Sequence, residues 1–148
     1  MQACELPSLK NAEKKLCEIL KNSKTIVVVG LSPKEHRASN QVAKYMQEKG
    51  YKIIPVYPRE ETILGEKVYR SLDEIDFEVD IVDIFRKSED TPEIVEKAVN
   101  LPGVKCIFLQ EGVKHEKSKE IAKNAGIYYV EDSCLMVDYM RCEREGLV

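Results

Sequence analysis

Thr25-Ile26-Val27-Val28-Val29-Gly30 decides how this chain folds. Five consecutive β-branched residues with no polar alternation describe a strand covered on both faces, the condition of a central strand in a parallel sheet. The glycine behind them permits a sharp exit. Outward from this run the pattern alternates between short apolar runs and longer stretches with helical spacing, the signature of an α/β domain. A loop from Gly30 to Ser39 leads into a helix ending at Lys49 and closed by Gly50. The next strand is Lys52–Val56, followed by a polar excursion through Gly65 to a short helix near Ser71. Then come the strand Asp80–Phe85, a helix Pro92–Asn100, the strand Lys105–Leu109, a helix Glu116–Asn124, the strand Ile127–Val130 and a last helix Cys134–Arg144. Upstream, Leu9, Ala12, Leu16 and Leu20 fall near i, i+3/i+4 spacing and predict an amphipathic helix over Ser8–Lys21. The expected architecture is a doubly wound, parallel, five-stranded sheet, most simply in the order 3-2-1-4-5, with flanking N- and C-terminal helices. Residues 1–23 would pack as a helix on a domain formed by residues 24–148, one domain overall.

The 148 residues are 43% hydrophobic and 33% charged, ordinary values for one globular domain, and too few for a two-domain enzyme. Lys plus Arg number 23 against 26 Asp plus Glu, a net charge of -3. That balance removes the field on which a sequence-tolerant nucleic-acid binder relies, so no nucleic-acid partner is expected. A locally positive pocket for an anionic small molecule is still compatible with it. The five cysteines, Cys4, Cys17, Cys106, Cys134 and Cys142, are odd in number and form no CxxC pair. This argues against a zinc knuckle and against a disulfide scaffold, and favours a reducing cytoplasm. Charges at Glu5, Lys10, Glu13, Lys14 and Lys15 interrupt any signal-peptide core, and the run Ile26–Val29 is far shorter than the ~20 residues of a membrane span. No membrane partner is expected.

Ligands of such sheets bind at the carboxyl ends of the strands, where the strand order reverses; for the expected order this lies between the first and fourth strands. Four loops leave those ends: Gly30–Ser39, Tyr57–Arg59, Phe85–Ser88 and Gln110–His115. The first lacks the three glycines of GxGxxG, which speaks against a standard NAD site. It offers Ser32, Arg37 and Ser39, the last placed to cap a helix whose amides would receive a phosphate. Ser32-Pro33-Lys34-Glu35 reads equally as a capping box with no ligand role. After the second strand, Tyr57-Pro58-Arg59 stands where a dinucleotide enzyme would place Asp or Glu. A basic residue there suits a phosphorylated ribose, as in NADP or coenzyme A, with Tyr57 against adenine, although an isolated loop arginine is commonly only solvated. Gly112 permits close backbone approach by an extended arm such as pantetheine, or is an ordinary turn glycine. His36 and His115 have no neighbouring nucleophile at a catalytic spacing, and no catalytic residue or metal ligand is assigned. Asp80 and Asp83 flank or occupy an apolar strand, which would bring one or the other near the pocket rim, but they form no evident carboxylate pair. Met46, Met136 and Met140 read as packing.

Taken together these residues resemble the stand-alone CoA-binding proteins of the YccU type, related to the CoA-binding domain of the succinyl-CoA synthetase alpha subunit. The resemblance runs from about Lys24 to Cys134. It is carried by Val29-Gly30-Leu31-Ser32 with Arg37 and Ser39, Gly50-Tyr51, Ile54-Pro55-Val56-Tyr57-Pro58, Ile63-Leu64-Gly65, Tyr69 with Ser71-Leu72, Val79 through Arg86, and Gln110 with Gly112-Val113. It implies a Rossmann-like fold holding coenzyme A or a short acyl-CoA. Gly30, Leu31, Ser32, Lys34, Arg37 and Ser39 would lie at the phosphates. Val56, Tyr57, Pro58 and Arg59 would lie on the adenine side, and Phe85, Arg86, Gln110, Gly112 and Val113 along the pantetheine. Tyr57 replaces the Asn, and Glu111 the apolar residue, common in the family. The synthetase's phosphohistidine belongs to a second domain and its nucleotide site to another subunit, so the resemblance implies a binding module and not a ligase. The alternatives are an NADP-binding oxidoreductase and a CoA-dependent accessory subunit; a homo-oligomer or a CoA-dependent protein partner is compatible with either class. Cys134, where the family tends to carry a cysteine, is the candidate redox thiol for a mixed disulfide with CoA, or a packing residue at a helix start.

Overall fold

Helices cover both faces of an all-parallel sheet, as the alternating pattern requires. The structure is a computed structural model and describes residues 11–148, with side chains from Glu13 onward. In chain order the elements are α1 (Asn11–Lys21), β1 (Thr25–Val29), α2 (Ala38–Glu48), β2 (Lys52–Val56), two short strands β3 (Thr62–Ile63) and β4 (Glu66–Lys67), β5 (Ile81–Ile84), α3 (Thr91–Ala98), β6 (Cys106–Gln110), α4 (Glu116–Asn124), β7 (Tyr128–Ser133) and α5 (Leu135–Arg144). Short 3-10 turns occupy Leu72–Glu74 and Ser88–Asp90. The opening helix is present as α1; Ser8, Leu9 and Lys10 of its expected range, like Cys4, lie outside the described residues. The polar excursion holds the β3–β4 hairpin, which turns at Leu64 and Gly65 with φ of 55° and 76°.

The main sheet runs β2-β1-β5-β6-β7. Its four pairings are parallel. Counting only the five long strands along the chain, this is 2-1-3-4-5 and corrects the expected order 3-2-1-4-5. Pro55 supplies the reason. It sits inside β2 opposite Val28 and lacks the N–H that a second neighbouring strand would need. On its free side β2 makes only a bridge to Tyr69, whose N–H donates to the Pro55 carbonyl at 2.9 Å and whose carbonyl accepts from Tyr57. The second strand is therefore the edge. The third long strand inserts on the other side of β1, in register Val28 to Asp83 and Asp83 to Phe108.

Alternate side chains of the strands feed two cores. Ile26, Val28, Ile81, Cys106 and Phe108 pack under α1, α2 and α5. Val27, Val29, Val82, Ile84, Ile107 and Leu109 pack under α3, α4 and the Leu72–Glu74 turn. The chain thus leaves β1 toward one face and β5 toward the other, so strand order reverses between β1 and β5 and not between the first and fourth strands. The crevice of a doubly wound sheet lies at that point.

Cys17 of α1 and Cys142 of α5 form a disulfide across 125 residues of chain. This corrects the expectation drawn from an odd cysteine count. Both cysteines are buried where α1 packs on α5, a proximity that sequence spacing does not report. Cys106 and Cys134 are free. Among the described residues no helix is long and apolar enough to cross a membrane, and no group of three or more His, Cys, Asp or Glu could hold a metal ion.

Candidate functional site

β1 ends at Gly30 between two neighbours. The Gly30 N–H donates to the Val56 carbonyl and the Phe85 N–H donates to the Val29 carbonyl, each at 2.9 Å. Gly30 has φ +84°, and a Cβ built on it would overlap the Phe85 carbonyl oxygen. Both effects demand glycine here. Gly30→Ala combines left-handed strain with a backbone collision and is expected to cost about 2–5 kcal/mol in chemical denaturation. A loss below about 1 kcal/mol would show that the Phe85 backbone moves aside freely.

Beyond Gly30 the loop is tied down by its own side chains. Leu31 is buried in the core. The Ser32 N–H donates to Ser39 Oγ at 3.0 Å, and Asn40 Nδ2 donates to the Ser32 carbonyl at 2.9 Å. α2 starts at Ala38 with Arg37 at its N-cap, without a side-chain cap. Ser39 is therefore buried inside the first turn and holds the loop, which corrects the capping role expected for it. The capping box at Ser32 does not form either; Ser32 Oγ accepts the Lys34 N–H at 3.1 Å within a turn. Lys34 and Arg37 are exposed, and the Arg37 guanidinium has no protein partner among the described residues.

On the α3 side of the reversal point a cavity of about 250 Å³ opens between the ends of β1, β2 and β5. Val29, Val56, Leu72 and Ile94 give it an apolar wall, and the cations Arg70, Arg86 and Lys97 line it together with the carboxylates of Asp90 and Glu93. Ser71 caps the Leu72–Glu74 turn beside them, accepting from the Asp73 N–H. Of the residues expected at the ligand, Val56 and Arg86 line this cavity. Tyr57 and Phe85 pack against the α2-side core instead, and Pro58 and Arg59 are exposed outside the lining. Arg70, Ile94 and Lys97 escaped sequence reasoning because they follow no strand; the Ser71-Leu72 pair next to Arg70 was the available signal.

At the end of β6, Gln110 is 6% exposed and its Oε1 is buried with no hydrogen-bond partner. The adjoining loop is clamped from β7. Asp132 Oδ1 accepts the Gly112 N–H at 2.7 Å, and the Asp132 N–H donates to the Val113 carbonyl at 2.9 Å. Asp132 adopts φ 53° to do so. The Gly112 N–H is thus already engaged, while no heavy atom comes within 4 Å of a Cβ built at Gly112, so the approach to its backbone is open. Val113 is half-buried against the α4-side core. Cys134, a free and half-buried thiol, is the N-cap of α5, next to Ser133, which pairs with Gln110.

Neither strand carboxylate reaches the rim. Asp80 lies at the amino end of the sheet, where burial opposes its charge but the N–H groups of Lys24 and Thr25 and the Lys105 ammonium hold its pKa below the ordinary value. Asp83 is 1% exposed in mid-strand, with both carboxylate oxygens unpartnered. A second cavity of about 290 Å³, between α1, β7 and α5, is lined by none of the residues expected at the ligand.

An open parallel sheet with its crevice at the reversal point and a first turn closed on glycine defines a Rossmann-like α/β domain, here with cations along the carboxyl edge. The family described as CoA binding domain matches residues 24–140, and the chain belongs to it. It is 41% identical over 120 residues to the uncharacterized protein YneT of Bacillus subtilis, covering 81% of this chain and 88% of YneT. A hypothetical protein of Pyrococcus horikoshii superposes with a TM-score of 0.83 at 34% identity, over 93% of this chain and 98% of that one. An ADP-forming acetate–CoA ligase of Methanocaldococcus jannaschii is 26% identical over 120 residues, and the chain spans 17% of that ligase.

Proposed function

We propose that this chain binds coenzyme A or a short acyl-CoA in the crevice between β1 and β5, without ligase activity of its own. The buried, unpartnered Oε1 of Gln110 carries the reading, together with the family. The Gln110 Oε1 at the carboxyl edge has no hydrogen-bond partner within the protein, and a turn of this side chain toward the crevice would let it accept an amide N–H of the pantetheine arm. Arg37 and the amides of the first turn of α2 suit the pyrophosphate. The cavity beside Val56 and Arg86 suits the adenine end, with Gly30 closing the floor between them. When bound, CoA supplies a thiol for acyl carriage; the protein's residues only hold and orient it.

Isothermal calorimetry with CoA tests this. Binding that weakens with added salt is expected, because phosphates meet an exposed guanidinium. Arg37→Ala removes charge-assisted bonds and is expected to lower affinity by about one to two decades with an unchanged unfolding midpoint. Absence of heat at millimolar CoA, with no ligand retained in native mass spectrometry, would refute the reading.

A further inference from the structure

The segment after the β3–β4 hairpin is stitched to the edge of β2 through Tyr69, and this delivers Arg70 to the end of that strand. Its Nη1 donates to the Tyr57 carbonyl at 3.1 Å and to the Arg59 carbonyl at 2.9 Å, while its backbone N–H donates to Glu74 Oε1 at 2.8 Å. The guanidinium is therefore held in place before any ligand arrives. Among the three cations lining the cavity it alone forms no salt bridge: Arg86 pairs with Asp90 at 3.2 Å and Lys97 with Asp73 at 3.0 Å. Nε and Nη2 remain without a partner among the described residues.

A fixed, planar guanidinium without a carboxylate is suited to bidentate recognition of a phosphate. In a doubly wound sheet the ribose of a bound nucleotide lies at the end of the second strand, and an arginine there accommodates a phosphate on that ribose. Both arginines are exposed, but Arg59, the residue the sequence suggests for this task, lies outside the cavity lining, and its carbonyl is one of the groups Arg70 grips. We infer that Arg70, and not Arg59, reads the ribose phosphate and makes the site select CoA over dephospho-CoA. This specificity role rests on the CoA reading above.

Affinities of the parent, Arg70→Gln, Arg70→Lys and Arg59→Gln for CoA and for dephospho-CoA, measured by calorimetry, test it. The parent is expected to prefer CoA by about 10- to 100-fold, the worth of a charge-assisted contact. Arg70→Gln should bring that ratio to within about threefold by weakening CoA alone, Arg70→Lys should keep part of it, and Arg59→Gln should leave it unchanged. Equal weakening of both ligands by Arg70→Gln would reduce Arg70 to a loop brace and overturn the inference. A preference lost in Arg59→Gln and kept in Arg70→Gln would overturn it as well. A parent that binds both ligands equally defeats this inference and leaves the CoA reading standing, whereas a parent that binds neither defeats the reading itself.

Discussion

Cys142→Ser is expected to lower the midpoint of thermal unfolding by about 10 °C under non-reducing conditions. The Cys17–Cys142 bond closes a loop of 125 residues, and cross-links over loops of that length restrict the unfolded chain by about 3–5 kcal/mol. For a domain of this size each kcal/mol moves the midpoint by roughly 2–4 °C. The same bond holds α1 against α5 over the core face built by Ile26, Val28 and Phe108. A reductant should produce a like shift in the parent and none in Cys142→Ser. A parent indifferent to reductant would show that the two thiols do not bond in solution.

The second large effect is tied to pH. Asp83 sits in the middle of β5 with both oxygens buried and unpartnered. Burial first, and then the nearby Asp138 carboxylate, pushes its pKa well above the ordinary value. An acid whose folded pKa is raised binds its proton more tightly in the native state than in the unfolded one. Its contribution to stability is complete below the unfolded pKa, about 4, and is lost as pH rises through the folded value. Asp83→Asn removes the charge and keeps the shape. The difference in unfolding midpoint, variant minus parent, should rise by on the order of 10 °C between pH 4 and pH 8, because an isolated buried charge costs several kcal/mol. The constant cost of an unpaired amide cancels in that comparison. A pH-independent difference would contradict the assignment.

Burial also explains why Asp83 was misplaced from sequence at the rim of the pocket. Alternation along β5 puts residue 83 on the same face as Ile81, but only the neighbouring strands show how deep that position lies. Asp80, three residues earlier, failed in the opposite direction: its partners, Lys24 and Thr25, start the adjacent strand at the amino end of the sheet. Ser39 reads in sequence as a helix cap and is in fact a loop anchor, because the helix begins one residue before it. The cavity cations divide in the same way. Arg86 was legible because it directly follows a strand. Arg70 was not, because its place depends on a hairpin and a bridge to Tyr69 that local pattern does not announce.

By itself the sequence determined the layer architecture. Unbroken β-branched runs such as Thr25–Val29 can only be strands covered on both sides, and helical spacing between them supplies the covering. It also placed a glycine at the exit from the first strand and showed which loops crowd the carboxyl edge, whereas the collision with Phe85 that makes this glycine obligatory is tertiary. The tertiary structure decided what depends on neighbours distant along the chain. Pro55 placed the second strand at the edge and moved the point of reversal to between β1 and β5. The packing of α1 on α5 brought Cys17 to Cys142. The bridge to Tyr69 set the Arg70 guanidinium against the end of β2. Periodicity reports whether a residue faces a core, since that depends on backbone geometry a few residues long. Which other residue it meets there depends on the order in which strands pair, and no local pattern encodes that order.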